Sequence, residues 1–317
     1  MPRGRSRRHP VARSRPRVVV LGDLMLDAVI LPVRAPETAT DVPGRVSLRQ
    51  GGSAATTARW FARLGADTTF VCAVGRDSIG RGLVSAVEGD GVRVRATRVS
   101  GERTGRIGVI VDPGGERSFV ADRAAADRLA PDDLSASTFR ADLLHLPAYS
   151  LLGEPLGLAG RRAIELARAA GSLVSLDLAS VRPLLARGRR AAVRLVEAAA
   201  PDVLFATRAE GEALLDSPYL SGLADLVPLA VIKQGRAGAT VLARDGESRL
   251  TFDVATRPVD ALDTTGAGDA FDAGFLVAWL EQPASARSRP AGLRRAVLAA
   301  HRAAGRQLAN PGRELSL

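Results

Sequence analysis

Residues 143–177 read LLHLPAYSLLGEPLGLAGRRAIELARAAGSLVSLD and contain a strand, a helix and a second strand. Leu143–Leu146 is a short apolar run of strand length, Gly160–Ala170 is an Ala/Leu-rich stretch of helical character, and Leu173–Asp177 is a strand again. Short apolar strands alternating with helices predict a mostly parallel sheet covered on both faces. The same rhythm extends outward. Upstream lie a strand at Val18–Leu21, a helix at Ser53–Leu64, a strand at Thr68–Val74 and a helix at Ile79–Glu88. Downstream come helix Val193–Ala199, strand Val203–Ala206, helix Glu210–Leu215 and strands Ala230–Lys233 and Ala239–Ala243. Two long helices, Ala267 to about Leu280 and Leu293–Ala309, close the chain.

Two stretches break the alternation. Residues 33–50 are polar and Pro-punctuated. Residues 95–122 contain β-type runs at Arg106–Val111 and Arg117–Val120 around Asp112-Pro113-Gly114-Gly115, the pattern of a hairpin. Together, about 33–50 and 95–122 are expected to form a small β-sheet lid over a site within one α/β domain, residues 17–317.

Composition sets the outer limits. With 46% hydrophobic and 25% charged residues among 317, the chain can bury a substantial core. The net charge of +10 is concentrated at the start: residues 1–17 hold seven Arg and no acid. Residues 1–16 therefore read as a disordered basic tail, and the remainder as no nucleic-acid binder. That tail lacks the aromatics that stack bases and the apolar stretch of a secretory signal. No window approaches a membrane span. The single Cys72 lies in the apolar run FVCAVG; it reads as a buried core thiol and fits a reducing cytoplasm.

Chemistry is suggested by three segments. In Asp263-Thr-Thr-Gly-Ala-Gly-Asp269-Ala-Phe, Gly266 and Gly268 let backbone approach an oxyanion, and a helix opening at Ala267 offers unpaired N–H groups to it. Asp269 in that first turn is either the base that takes a proton from an attacking hydroxyl or a simple cap. Gln50-Gly-Gly-Ser-Ala-Ala-Thr-Thr-Ala58 enters a helix by a Gly-Gly that admits a polar ligand. Gly22-Asp-Leu-Met-Leu-Asp27 lies at the carboxyl end of the first strand, where ligands of parallel sheets bind. The phosphate loop G-x-x-x-x-G-K-[ST] is missing, and Ile232 precedes Lys233, the only lysine. His9, His145 and His301 have no metal-ligand spacing; His301 reads as packed or solvated.

In this order and spacing, DTTGAGDAFDAGF and GGSAATTARWFARLGADTTFVCAVGRDSIG resemble the ribokinase or PfkB carbohydrate kinase family, which includes adenosine kinases. The resemblance runs from about Arg17 to Asn310. It implies a Rossmann-like central sheet with a β-lid, and transfer of the γ-phosphate of ATP, with Mg²⁺, to a sugar-type hydroxyl. It makes Asp269 the base and Gly266, Ala267 and Gly268 the anion hole. Asp27, Gly51, Gly52 and Thr56 face the acceptor; Thr207, Lys233, Gly235 and Gly238 face the nucleotide. Glu210 is linked to Mg²⁺ through water, and Asp263 and Thr265 lie in the loop that binds K⁺ in many members. A homodimer through the lid is also implied.

Three positions depart from the family pattern. Thr56 and Thr207 stand where Asn is usual, and Asp177-Leu-Ala-Ser resembles a D-x-N strand end without its Asn. These losses keep a non-catalytic sugar-binding regulator on the same fold as an alternative reading; a nucleoside kinase is a second, because the lid residues that line the acceptor pocket are not assigned by the sequence.

Overall fold

The computed structural model describes residues 15–112, 114, 117–246, 248–261 and 263–310. The first half comprises β1 (Arg17–Leu21), β2 (Met25–Pro32), β3 (Gly44–Gly51), α1 (Ser53–Arg63), β4 (Asp67–Gly75), α2 (Ser78–Gly89), β5 (Arg93–Val99), β6 (Arg106–Val111) and β7 (Arg117–Asp122). Next come β8 (Leu143–Pro147), α3 (Tyr149–Leu152), α4 (Leu156–Ala169), β9 (Leu173–Asp177), α5 (Val181–Leu185), α6 (Arg189–Ala199) and β10 (Val203–Thr207). The last part holds α7 (Arg208–Leu215), α8 (Leu223–Leu226), β11 (Leu229–Lys233), β12 (Ala239–Asp245), β13 (Ser248–Val254), α9 (Ala267–Leu280), α10 (Ala284–Arg287) and α11 (Pro290–Ala309).

The large sheet has the order β13-β12-β11-β10-β9-β8-β1-β4-β5. Pairing is parallel from β11 to β5, and β12 and β13 add an antiparallel edge. Its central strands are mostly apolar because both faces are covered, with His145 of β8 and Ser175 of β9 buried and hydrogen-bonded to each other at 2.9 Å. α1, α2, α9 and α11 bury one face around Phe61, Phe70, Phe205 and Phe275. α4 to α8 bury the other around Leu144, Leu176, Leu204 and Ile232. Cys72 is fully buried in the first of these layers, as its apolar setting predicts. Among the described residues no helix is long and apolar enough to cross a membrane.

Chain direction sets where the site lies. From β1 the sheet grows one way through β4 and β5, and from β8 the other way through β9, β10 and β11. The reversal between β1 and β8 opens a crevice at the carboxyl ends of the strands.

A separate sheet, β3-β2-β6-β7, stands over that end. The expected hairpin is present, β6 and β7 pairing from Arg106↔Asp122 to Val111↔Arg117; within its turn, residues 113, 115 and 116 lie outside the described residues. The bounds expected for the lid need two corrections. Met25–Pro32 is a lid strand, pairing with β3 and β6; Asp27 interrupts its apolar run and hides it from a reading by hydrophobicity. Arg93–Val99 belongs to the large sheet, in register with β4; its Arg/Val alternation is that of a half-exposed edge strand. The small sheet is thus built from 25–51 and 106–122. At the start of the chain, residues 1–14 of the expected tail lie outside the described residues. Pro16 is buried, and its carbonyl accepts the Asp67 N–H at 2.8 Å, so the fold begins at least one residue before Arg17.

Candidate active site

The crevice is a cavity of about 1780 Å³ reaching from the small sheet past the ends of β9, β10 and β11. Three strands end in it with polar residues, Asp177, Thr207 and Lys233. The Lys233 Nζ lies 3.0 Å from Asp177 Oδ1 and 3.3 Å from both carboxylate oxygens of Asp272 in α9. Burial works against the ammonium, yet Asp177, Asp272 and Glu210 outweigh it and hold Lys233 protonated, above its ordinary range. Asp272, fully buried, is pushed well above the usual carboxylate range by that burial.

Asp269 stands in the first turn of α9 and borders the crevice. Ser53 Oγ, from the first turn of α1, donates to its Oδ1 at 2.6 Å. Burial raises the Asp269 pKa to about 7 against this hydrogen bond. The carboxylate accepts from the side chain of a second helix, and neither hydrogen bond to its own helix start nor capping geometry is involved: the N-cap is Gly266, at φ 74. That left-handed conformation favours glycine, and a Cβ there would sit 3.0 Å from the Thr56 methyl. One feature of the predicted anion hole changes. The Ala267 N–H is taken by the Thr264 carbonyl at 3.2 Å, so Gly268 and Asp269, which border the crevice, are the first-turn residues placed to offer N–H groups to it.

Asp27 points from β2 into the crevice and into a second cavity of about 420 Å³ beneath the small sheet. Gly51 lies directly against it: a Cβ at 51 would fall 1.8 Å from Asp27 Oδ1. Oδ1 is buried with no hydrogen-bond partner in the protein. Burial, reinforced by Asp23, raises the Asp27 pKa to about 7. A buried, unpartnered carboxyl oxygen facing a cavity is a ready acceptor for a ligand hydroxyl. Gly52 is the N-cap of α1, and its carbonyl takes both the N–H and the hydroxyl of Thr56, each at 3.0 Å. Thr56 therefore shows its methyl, rather than a donor, to the turn at Gly266.

Thr207 and Glu210 form a reciprocal capping box at the start of α7. Glu210 Oε2 accepts the Thr207 N–H at 2.7 Å, and Thr207 Oγ1 accepts the Glu210 N–H at 3.3 Å. Both also border the crevice. Gly235 borders it too, whereas Gly238 turns the chain into β12 and packs against the Val254 carbonyl. Asp263 and Thr265 are engaged within the protein. Asp263 Oδ2 pairs with Arg49 at 2.8 Å and Oδ1 with Arg117 at 2.9 Å; the Thr265 carbonyl accepts from Gln307 at 2.9 Å.

Several site residues escaped the sequence reading. Ser53 sits inside a quoted motif but carries no signal of its own. Asp23, 2% exposed, accepts from the Ala54 N–H and from Arg123, whose Nη2 is buried without a partner. His301 packs its ring on Phe271 and places Nε2 3.1 Å from the Val254 carbonyl, as a packed rather than catalytic histidine would.

The pfkB family carbohydrate kinase profile matches residues 15–316. The chain belongs to the pfkB family of carbohydrate kinases. It is 32% identical to a fructokinase of Klebsiella pneumoniae over 82% of this chain and 83% of that one. It is 34% identical to an ATP-dependent ribose-1-phosphate kinase of Halopiger xanaduensis over 83% and 85%. Among solved structures, adenosine kinase from Sinorhizobium meliloti superposes with a TM-score of 0.81 at 22% identity, covering 94% of this chain and 95% of that one. Fructokinase from Vibrio cholerae, bound to fructose, ADP and calcium, gives 0.76 at 24%, covering 94% of each. These two likenesses concern the fold. The pfkB chain described here is a phosphotransferase acting on an alcohol group, a sugar kinase.

Proposed function

We propose that this kinase moves the γ-phosphate of ATP to a hydroxyl of a free sugar, with a ketohexose such as fructose the first candidate, and that Asp269 is the general base. The observation that carries the reading is the Asp269 carboxyl, half-buried in the first turn of α9 at the crevice and held by the Ser53 hydroxyl at 2.6 Å; desolvation raises its pKa to about 7. A base with a pKa near the working pH combines availability with driving force. Asp27, with its unpartnered Oδ1, holds an acceptor hydroxyl. Asp269 takes the proton of the attacking hydroxyl as its oxygen bonds to the γ-phosphorus, and ADP leaves with the electrons of the broken β,γ bond. The Gly268 and Asp269 N–H groups face the charge that develops on the transferring group.

The donor set fits Mg²⁺. This ion takes one or two carboxylates besides phosphate and water, and Asp177 and Glu210 both line the crevice; when bound, Mg²⁺ would neutralise phosphate charge. Lys233, Thr207 and Gly235 border the same crevice and would face the nucleotide. The reading extends to a dimer formed through the small sheet and to a cytoplasmic setting. The ribose-1-phosphate kinase relative keeps a phosphorylated sugar among the acceptors to be tried.

ADP release is measured with fructose, ribose, ribose 1-phosphate and adenosine. Fructose should give the highest kcat/KM, and Asp269→Asn should lower kcat by on the order of 10²–10⁴ while nucleotide binding persists. Near-normal turnover by this variant would exclude Asp269 as the base, and a preference for adenosine would exclude the sugar reading.

A further inference from the structure

The loop that leads into the anion hole, Asp263–Gly266, is the place where the family resemblance puts a monovalent cation. Its oxygens include the Asp263 carboxylate and the Thr265 carbonyl, and both of these already have donors supplied by the chain. Arg49 Nη1 from β3 binds Asp263 Oδ2 at 2.8 Å, and Arg117 Nη2 from β7 binds Oδ1 at 2.9 Å. Asp263 Oδ1 also accepts the Thr265 N–H at 2.9 Å, and Arg117 Nη1 reaches the Thr264 hydroxyl at 3.3 Å. On the other side, Gln307 of α11, 8% exposed, donates Nε2 to the Thr265 carbonyl at 2.9 Å. Its Oε1 in turn accepts from Trp60 Nε1 at 2.9 Å.

These residues do not fit a K⁺ ion. Two guanidinium charges sit on the one carboxylate, so the local charge is already positive. A cation would have to displace charge-assisted hydrogen bonds that water only partly screens, since the Arg49, Arg117 and Asp263 side chains are 26%, 14% and 24% exposed. The carboxylate lies below its ordinary range: burial opposes this, but the Thr265 hydrogen bonds and both arginines outweigh it.

We propose that Arg49, Arg117 and Gln307 replace the monovalent cation as positioning residues for the anion-hole loop, so that turnover requires no potassium. Arg49 and Arg117 belong to the small sheet, and Arg49 stands directly opposite Asp27 in the β2–β3 register. The strand pair that carries the acceptor-binding carboxylate therefore also sets the loop that holds the transferring group. Docking of the small sheet orders the anion hole through the Arg49–Asp263–Arg117 bridge. The kinetic part of this inference rests on the phosphoryl-transfer reading above; the ion-binding part does not.

The test compares the full chain in potassium chloride, sodium chloride and choline chloride at one ionic strength, by turnover and by melting temperature. The wild type should give kcat and melting temperature equal in all three, within about twofold and one degree. The Arg49→Gln, Arg117→Gln double variant bares Asp263. It should lose kcat far more than it raises the acceptor KM, and should gain a potassium-specific rise in melting temperature. A wild type that potassium activates several-fold, or stabilises where choline does not, overturns the proposal whatever the variants do. So does a double variant whose kcat is unchanged. Should the wild type turn over no acceptor in any salt, the kinase reading has failed, and the melting comparison still decides the ion-binding claim. If the double variant does not fold, Gln307→Leu serves in its place: it removes the donor to Thr265 and should lower kcat with the potassium response still absent, because Asp263 stays paired.

Discussion

Ala179 has φ 63 at the crevice end of β9, where the family pattern has Asn. Asn and Gly tolerate this left-handed conformation; for Ala it costs roughly 1–2 kcal/mol. The missing Asn was visible in the sequence, but the strain it leaves was not, because a backbone angle has no residue signature. Ala179→Gly should raise stability by about 1 kcal/mol, and Ala179→Asn should do so too while restoring an amide to the crevice. An unchanged or lower denaturation midpoint for both would refute the strain. The two site carboxyls make a second prediction. Asp27 and Asp269 sit at about 7 when folded, against 3.8 ordinarily. Between about pH 4 and 7 the folded chain thus keeps protons that the unfolded chain has released, so stability falls as pH rises through this window. Asp27→Asn and Asp269→Asn should each flatten that fall and raise the melting temperature at pH 8 more than at pH 5. A parallel shift at both pH values would show that burial does not tune these groups.

Elements differed in how plainly the sequence declared them. β1, β10 and β11 were legible because a parallel strand covered on both faces is a near-continuous apolar run, and β8 was legible despite the buried His145 within it. β2, β5 and β13 were not, since each mixes polar residues into the strand: Asp27 in β2, arginines in β5, and Arg249 and Asp253 in β13. Thr207-Arg-Ala-Glu210 is a capping-box spacing, so the start of α7 is legible in the sequence alone. What no local pattern could reveal is long-range pairing. Asp263 meets Arg49 from 214 residues away, and Lys233 meets Asp177 and Asp272 from 56 and 39 residues away. The lysine ties β9, β11 and α9 together at the floor of the site. Lys233→Met leaves two buried carboxylates without their cation and should cost about 3–5 kcal/mol. Adding Asp272→Asn should recover part of that loss, because it removes one of the stranded charges. If the double variant is less stable than Lys233→Met alone, the lysine is not held by this charge pairing.

At the scale of the whole molecule, one part remains too apolar for its exposure. The small sheet uses one face for the site: Asp27, Val29, Arg49, Ile107 and Val109 all border the cavities beneath it. Strand alternation sends their neighbours to the opposite face, and the register places Ile30 beside Val46 and Ile110, and Val120 beside Gly108. Val46 is 62% and Val120 67% exposed. A sheet with one solvated face normally alternates apolar with polar residues; here both faces are apolar toward the far end of the sheet. β3 and β7 are also open edges. Pairing with the same sheet of a second copy would bury this surface and satisfy an edge at once, and a two-fold contact needs only one self-complementary patch. We expect light scattering to give twice the chain mass of 33.1 kDa. Val46→Asp with Val120→Asp should return a monomer. Because the cavities beside Asp27 lie on the other face, the proposed acceptor site predicts that the monomer keeps nucleotide affinity while its acceptor KM rises as the small sheet loses its support. A wild type that runs as a monomer at micromolar concentration would rule the dimer out, and a dimer untouched by the double substitution would place its interface elsewhere.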